Sequence, residues 1–274
     1  MIGQEGTLGI ITRAKLKLLE WSEEILDLLV FFSCVEDCVG FVDTARSGSS
    51  RRGTSAEVDA LNPLAIEFFD ADALAMARAR IPDVPAEAQA ALFIEIAHDG
   101  EPPLEAWWDA IIEAKALADE TIVADDASSR KRLHALRHAI PAGVNETVVA
   151  NGMPKVGTDF SVPDAALSEM MRAYKAVDLP SICFGHIGDN HLHLNFLPRD
   201  EQELAEARGL YRQLAMKAVS LGGTVSAEHG IGKIKRALLA EMLGPETLAA
   251  FRSLKLHVDP AWILGRGTMF TQSG

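Results

Sequence analysis

The sequence predicts an α+β domain: a mostly antiparallel sheet with helices covering one face, built from two ferredoxin-like units in succession. Two observations carry this expectation. Short runs rich in apolar and aromatic residues alternate with stretches of helical period. The order strand, helix, strand, strand, helix, extended piece occurs twice, over about residues 22–126 and again over about 154–228. The two halves share no residue-level similarity, so the duplication is an expectation about topology alone.

In chain order, strands are expected at 28–33, 64–70, 91–98, 155–162, 179–186 and 191–197, each short and apolar or aromatic. Pro163 suits a first helical turn, where its missing N–H costs nothing. Beyond it Leu167, Met170, Met171, Tyr174 and Val177 form one apolar stripe. A second helix is expected from Glu201 to Leu221, with Leu204, Ala207, Tyr211, Leu214 and Ala218 on its buried face and Gly222-Gly223 ending it. Residues 46–54 (RSGSSRRGT) read as a surface loop, because a phosphate cradle needs a strand-to-helix setting that this loop lacks.

The chain has 274 residues, 48% of them hydrophobic, enough for a large packed core. A net charge of −13 argues against a nucleic-acid partner, which wants a basic face. No apolar run approaches the ~20 residues of a membrane span, and the N-terminus lacks the pattern of a signal peptide. A cytoplasmic protein is expected. Three cysteines do not make a disulfide framework; Cys34, Cys38 and Cys183 read as buried or half-buried thiols.

The segment Gly185-His186-Ile187-Gly188-Asp189-Asn190-His191-Leu192-His193-Leu194-Asn195 places histidines around a turn between two strands. With Asp189 and Asn190 as a two-residue turn, His186 lies directly opposite His193 on one face, their Cβ atoms about 4.5–5.5 Å apart. Two such imidazoles and a carboxylate from Glu228 would make a divalent metal site with open positions, of which zinc is the favoured ion. The plainer alternative is a pair of sheet histidines satisfied by backbone. In the same register His191 shares the face of His193, as an added ligand or a solvent-facing group. Asn195, two residues beyond His193, also shares that face; it either meets substrate, orients a ligand or serves the turn.

Four blocks then resemble one family. GHIGDNHLHLN is similar to the GHxGDGNLHxN signature of FAD-linked oxidases of the vanillyl-alcohol oxidase type, in the branch holding D-lactate, glycolate and D-2-hydroxyglutarate dehydrogenases. SAEHGIGKIKR resembles that branch's (S/G)EHGxGxxKR block, GQEGTLGIIT its GSEGTLGIIT block, and DPAWILGRG its DPxGILNPGK ending. His191 and Asn190 depart from the signature, which has Asn and Gly there. The resemblance implies a duplicated ferredoxin-like domain and an order of domains: residues 1–20 as the remnant tail of a FAD-binding domain, residues 21–274 as the C-terminal substrate domain. Most of the flavin-binding half is expected to lie outside this sequence, and residues 3–12 to be mobile or repacked without their partner strands.

The same resemblance implies roles. Glu228 joins His186 and His193 on the metal, and His229 is the catalytic base, a task suited to a pKa near 6.5. Arg137 resembles a position in the family's LWxLR segment and Lys155 one in its KxDxSxP segment; both would hold the substrate carboxylate. His134 stands where the family often has Trp. By themselves, Arg137 reads as a solvated helix charge and Lys155 as a strand-edge lysine. Gly6, Thr7, Gly9 and Ile10 would meet the FAD. The implied activity is oxidation of a small D-2-hydroxy acid by FAD with metal assistance, the partner being a flavin-binding domain or separate flavin subunit. A metal-dependent hydrolase and a non-catalytic docking subunit are the alternatives.

Overall fold

The computed structural model describes residues 1–18, 24–47, 61–78, 84–98 and 100–272. The loop expected at 46–54 lies outside them from residue 48 onward; Arg46 and Ser47 end a helix instead.

The first half runs β1 (Glu24–Phe32), α1 (Val35–Ser47), β2 (Pro63–Asp70), α2 (Ala71–Arg78), β3 (Ala90–His98), α3 (Leu104–Glu113) and β4 (Ile122–Ala124). The long helix α4 (Ala127–Asn151) follows. The second half has β5 (Val156–Gly157), β6 (Phe160–Ser161), α5 (Leu167–Lys175), β7 (Ser181–His186), β8 (His191–Phe196) and α6 (Glu201–Ser220), before α7 (Arg236–Val258). The strand expected at 155–162 is broken into β5 and β6, because Thr158 and Asp159 turn their polar groups to other partners.

The sheet order is β4-β1-β3-β2-β7-β8-β5, with β6 also on β8, and every pairing is antiparallel. In the first unit, strands one to four appear in the spatial order four, one, three, two. The second unit repeats it: Thr224 bridges Ser161 of β6, β6 pairs β8, and β8 pairs β7. Its fourth strand has shrunk to that single bridge. The units meet edge to edge through β2 and β7. The expected duplication is therefore present in topology.

Helices α1, α3, α5, α6 and α7 pack on one face, where Phe41, Trp107, Met170, Leu214 and Leu239 meet Leu28, Phe68, Leu92 and Leu194. On the opposite face, α2 and α4 cover Leu29, Phe31 and Phe93 with Leu74, Leu136 and Ile140. The sequence predicts helices on one face only, whereas the structure covers both. The physical reason the second face is covered lies in β1, whose run Leu28 to Phe32 is apolar on both sides and needs apolar partners on both. Farther along, that face turns polar, and there the candidate site lies.

Candidate active site

The hairpin β7–β8 supplies the histidines. Its register pairs His186 with His191 and Phe184 with His193, so the expected opposition of His186 and His193 is off by two residues. The turn is longer than expected: Ile187–Asp189 form a short 3-10 turn, and Asn190 closes it in the left-handed region at φ 54°, a conformation Asn tolerates. A slip of two residues preserves faces, whereas a slip of one would have turned the histidines apart. His186, His191 and His193 thus still share one face, with His193 diagonal to His186. Gly185 makes room for them: at φ 137°, a Cβ would sit 3.0 Å from His193 Cδ2.

The rings of His186 and His193 are each tethered at one nitrogen. His186 Nδ1 lies 2.9 Å from Glu67 Oε1, and His193 Nδ1 lies 2.9 Å from the carbonyl oxygen of Thr158. A neutral imidazole that donates from Nδ1 presents the lone pair of Nε2. Those Nε2 atoms face Glu228, at 3.7 Å for His186 and 3.2 Å for His193. Donor atoms of His186, His191, His193 and Glu228 all lie within 4.8 Å of one another. The hydrogen bond to Glu67 raises the pKa of His186, while burial lowers that of His193. The donor set fits a divalent ion such as zinc: nitrogen and carboxylate oxygen, tautomers fixed, rings preset.

Glu228 and His229 sit on the loop after α6, and Asp159 shapes it. This carboxylate, 1% exposed, accepts from the backbone N–H groups of Glu228 (3.1 Å) and His229 (3.2 Å), from Ser226 Oγ (2.8 Å) and from Lys235 Nζ. Burial alone would raise its pKa; contacts with His191, Lys235 and Ser226 outweigh burial and hold it well below the usual range. Glu228 and His229 do not point opposite ways, as adjacent residues would in a strand. Because Asp159 gathers both of their N–H groups, the loop curls and both side chains project toward the hairpin. His229 Nε2 is 3.2 Å from Glu228 Oε1, and its ring stacks on His193 at 5.1 Å between centroids. Its side chain remains 60% exposed, open to an incoming molecule.

Arg137 arrives from α4, which ion pairs pin across the sheet. Arg130 Nε reaches Asp27 at 3.1 Å, His134 Nε2 lies 3.2 Å from Asp27 and 3.4 Å from Glu95, and Arg137 Nη2 meets Glu67 Oε1 at 2.5 Å. One buried carboxylate oxygen of Glu67 thus joins Arg137 to His186. On the other flank, Lys155 Nζ donates to Asn195 Oδ1 (3.1 Å), and Asn195 Nδ2 donates to the His193 carbonyl (3.1 Å). Burial lowers the Lys155 pKa. Arg137, Lys155 and Asn195 are therefore each connected to a site histidine.

Of the two alternatives expected for residues 3–12, mobile or repacked, the contacts of Glu5 and Thr7 correspond to repacking. Glu5 accepts from Ile231 N (2.7 Å) and Gly232 N (2.8 Å), just beyond His229. The buried Lys255 donates to the Thr7 carbonyl (2.7 Å), to Asp259 (2.8 Å) and to the Leu264 carbonyl (2.9 Å). Of the four positions assigned to FAD, Gly6 and Ile10 are exposed and Gly9 half-buried, while Thr7 is buried with Oγ1 donating to Gln4 O.

Sequence reasoning missed Glu67, Asp159 and Glu5. Glu67 had a signal: a carboxylate inside the apolar run Ala65 to Phe69 must find a cation or donor when its strand is buried.

Together these features define an α+β domain with a histidine–carboxylate cluster flanked by cationic side chains. The model of the family described as FAD linked oxidases, C-terminal domain, matches residues 52–269, and the chain belongs to that family. It is 28% identical to glycolate oxidase subunit GlcD of Bacillus subtilis over 99% of this chain and 56% of that protein. It is 29% identical to the probable mitochondrial D-lactate dehydrogenase of Danio rerio (97% and 52%), and 28% identical to the D-2-hydroxyglutarate dehydrogenase of Xanthomonas citri pv. viticola (98% and 56%). The chain spans about half the length of these relatives. Among solved structures, p-cresol methylhydroxylase with substrate bound superposes with a TM-score of 0.62 at 12% identity, over 92% of this chain and 54% of that one. Alkyldihydroxyacetonephosphate synthase gives 0.58 at 15% identity, over 96% and 48%. These two likenesses speak for the fold alone. Among the described residues, no helix is long and apolar enough to cross a membrane.

Proposed function

We propose that this chain is the substrate half of a flavin-dependent enzyme that oxidises a small D-2-hydroxy acid to a 2-oxo acid. In this reading residues 1–20 are the end of a FAD-binding domain and residues 21–274 the substrate domain. The observation that carries the proposal is the convergence of His186, His193 and Glu228 beside Arg137, joined to them through Glu67. Three imidazole and carboxylate donors would hold a divalent ion, zinc by their chemistry. When bound, such an ion would supply Lewis-acid activation of the substrate hydroxyl and the flavin a hydride acceptor.

The chain's own residues do the rest. Arg137 holds the substrate carboxylate through its planar guanidinium, with Lys155 and Asn195 on the opposite flank. His229, exposed beside Glu228, takes the hydroxyl proton. Gly6, Thr7, Gly9 and Ile10 belong to the flavin side of the site.

The test is elemental analysis of chelator-free protein alongside His193→Ala, followed by mixing with a flavin-binding half and D-lactate, glycolate or D-2-hydroxyglutarate. One ion per wild-type chain, lost in His193→Ala, and flavin bleaching on adding a hydroxy acid are expected. Equal metal content in the two proteins sinks the metal assignment. Flavin bleaching by a hydroxy acid that is unchanged in an Arg137→Ala variant sinks the substrate assignment.

A further inference from the structure

We propose that His191 is a fourth protein ligand to the ion of this site. The inference rests on the metal reading above and goes beyond the family resemblance, which puts Asn at this position.

Three observations support it. First, His191 stands directly opposite His186 in the hairpin, with ring centroids 5.6 Å from His186 and 4.5 Å from His193. It is 5% exposed, so the ring is committed to the protein rather than to solvent. Second, a ring nitrogen of His191 lies within 4.8 Å of donor atoms of His186, His193 and Glu228. Small side-chain rotations bring such a set to the ~2.0–2.2 Å of zinc–nitrogen and zinc–oxygen bonds. Third, the three imidazoles share one design. Each has one nitrogen beside an oxygen acceptor: Glu67 for His186, the Thr158 carbonyl for His193, and Asp159 Oδ1, at 3.0 Å from Nε2, for His191. Metal-ligating histidines are oriented in this way, with the second ring nitrogen given to an acceptor.

Asp159 has further partners besides His191. Lys235, Ser226 and two backbone N–H groups already supply it. His191 Nε2, in contrast, is buried and 3.0 Å from Asp159 yet off the line of a formed hydrogen bond. A cation on the other nitrogen makes the Nε2–H a stronger donor and draws the ring into line with Asp159.

With three imidazoles and a carboxylate, zinc has four protein donors. That is one more than the three protein ligands of most catalytic zinc sites, so a substrate oxygen would have to enter by expanding the shell to five. Such a site favours attachment through the hydroxyl alone and leaves the carboxylate to Arg137 and Lys155.

The experiment titrates the chelator-stripped chain with Zn2+ in competition with a chromophoric chelator, and with Co2+ followed by its visible absorption. Wild type, His191→Asn, His191→Gln and His193→Ala are compared, each checked for native circular dichroism. Loss of His191 is expected to weaken Zn2+ by at least about tenfold, since even outer-shell partners of metal ligands contribute 10–100-fold. The Co2+ bands are expected to change in position and shape as a ring nitrogen is replaced by water. In 15N-histidine-labelled wild type, Zn2+ should shift ring nitrogens of three site histidines. If wild type binds no metal, or binds it independently of His193, the metal reading itself fails. If binding depends on His193 but His191→Asn keeps wild-type affinity and the same Co2+ spectrum, or only two rings shift, the metal reading stands and His191 is not a ligand.

Discussion

Replacing Glu67 by Gln tests how the site is held together. Glu67 lies on β2, is 5% exposed, and uses one oxygen to receive Arg137 at 2.5 Å and to face His186 Nδ1 at 2.9 Å. Gln keeps the volume and one carbonyl oxygen but removes the charge. A hydrogen bond to a charged group contributes about 1.5–3 kcal/mol. Because the Arg137 side chain is 34% exposed, water takes over part of that interaction, and a stability loss of about 1–2 kcal/mol is expected. The effect on metal is larger relative to the change made. His186 loses its charged acceptor, and such partners support metal affinity by about 10–100-fold. Urea unfolding of the metal-free chain reads the first quantity, and chelator competition for Zn2+ at neutral pH reads the second. Arg137→Ala serves as the control, because it removes the other partner of Glu67 while leaving the His186 tether. A folded Glu67→Gln variant with wild-type zinc affinity would refute the argument that Glu67 sets the tautomer and orientation of His186.

Two further outcomes are expected. In a protein joined to its flavin half, His229→Asn should keep its metal yet reduce flavin about 10²–10⁴-fold more slowly, as loss of a general base does; a metal-free variant would place His229 among the ligands instead. Asp259 is held down at about 2, chiefly by the Lys255 hydrogen bond and then by the backbone N–H of Leu264. A carboxylate with a depressed folded pKa stabilises fully above its unfolded value of about 4, and that contribution is lost as pH falls through about 2. The thermal midpoint should therefore decline over this window, and Lys255→Met should flatten the decline; an unchanged slope in Lys255→Met would remove Lys255 as the cause.

Much of this molecule was legible from short-range patterns. Five of the six expected strands and the helices α5 and α6 follow from apolar periodicity, a property of neighbours a few residues apart; the remaining one, at 155–162, is broken into β5 and β6. The three site histidines share a face because strand side chains alternate with a period of two. That parity survived a wrong turn length, since the register differed by two residues. The resemblance of the four sequence blocks likewise implies that Glu228 and His229 lie with the hairpin.

What the sequence alone left open were pairings between distant residues. The turn at Ile187–Asn190 has a length that depends on its strands and on Asn190 adopting positive φ. Glu67 lies 119 residues from His186 and 70 from Arg137, and Glu5 lies 226 from Ile231. No local rule names such partners; they meet because β2 joins β7 edge to edge and because the N-terminal segment packs against α7 and its preceding loop. Asp159 likewise bends Glu228 and His229 to one side, against the alternation their adjacency suggests. The sequence by itself determined which residue types could form the site and which face they occupy, because alternation is local. Only the tertiary structure decided which carboxylate holds each ring and each cation, because that is settled by which buried charges the packed sheet brings within hydrogen-bond reach.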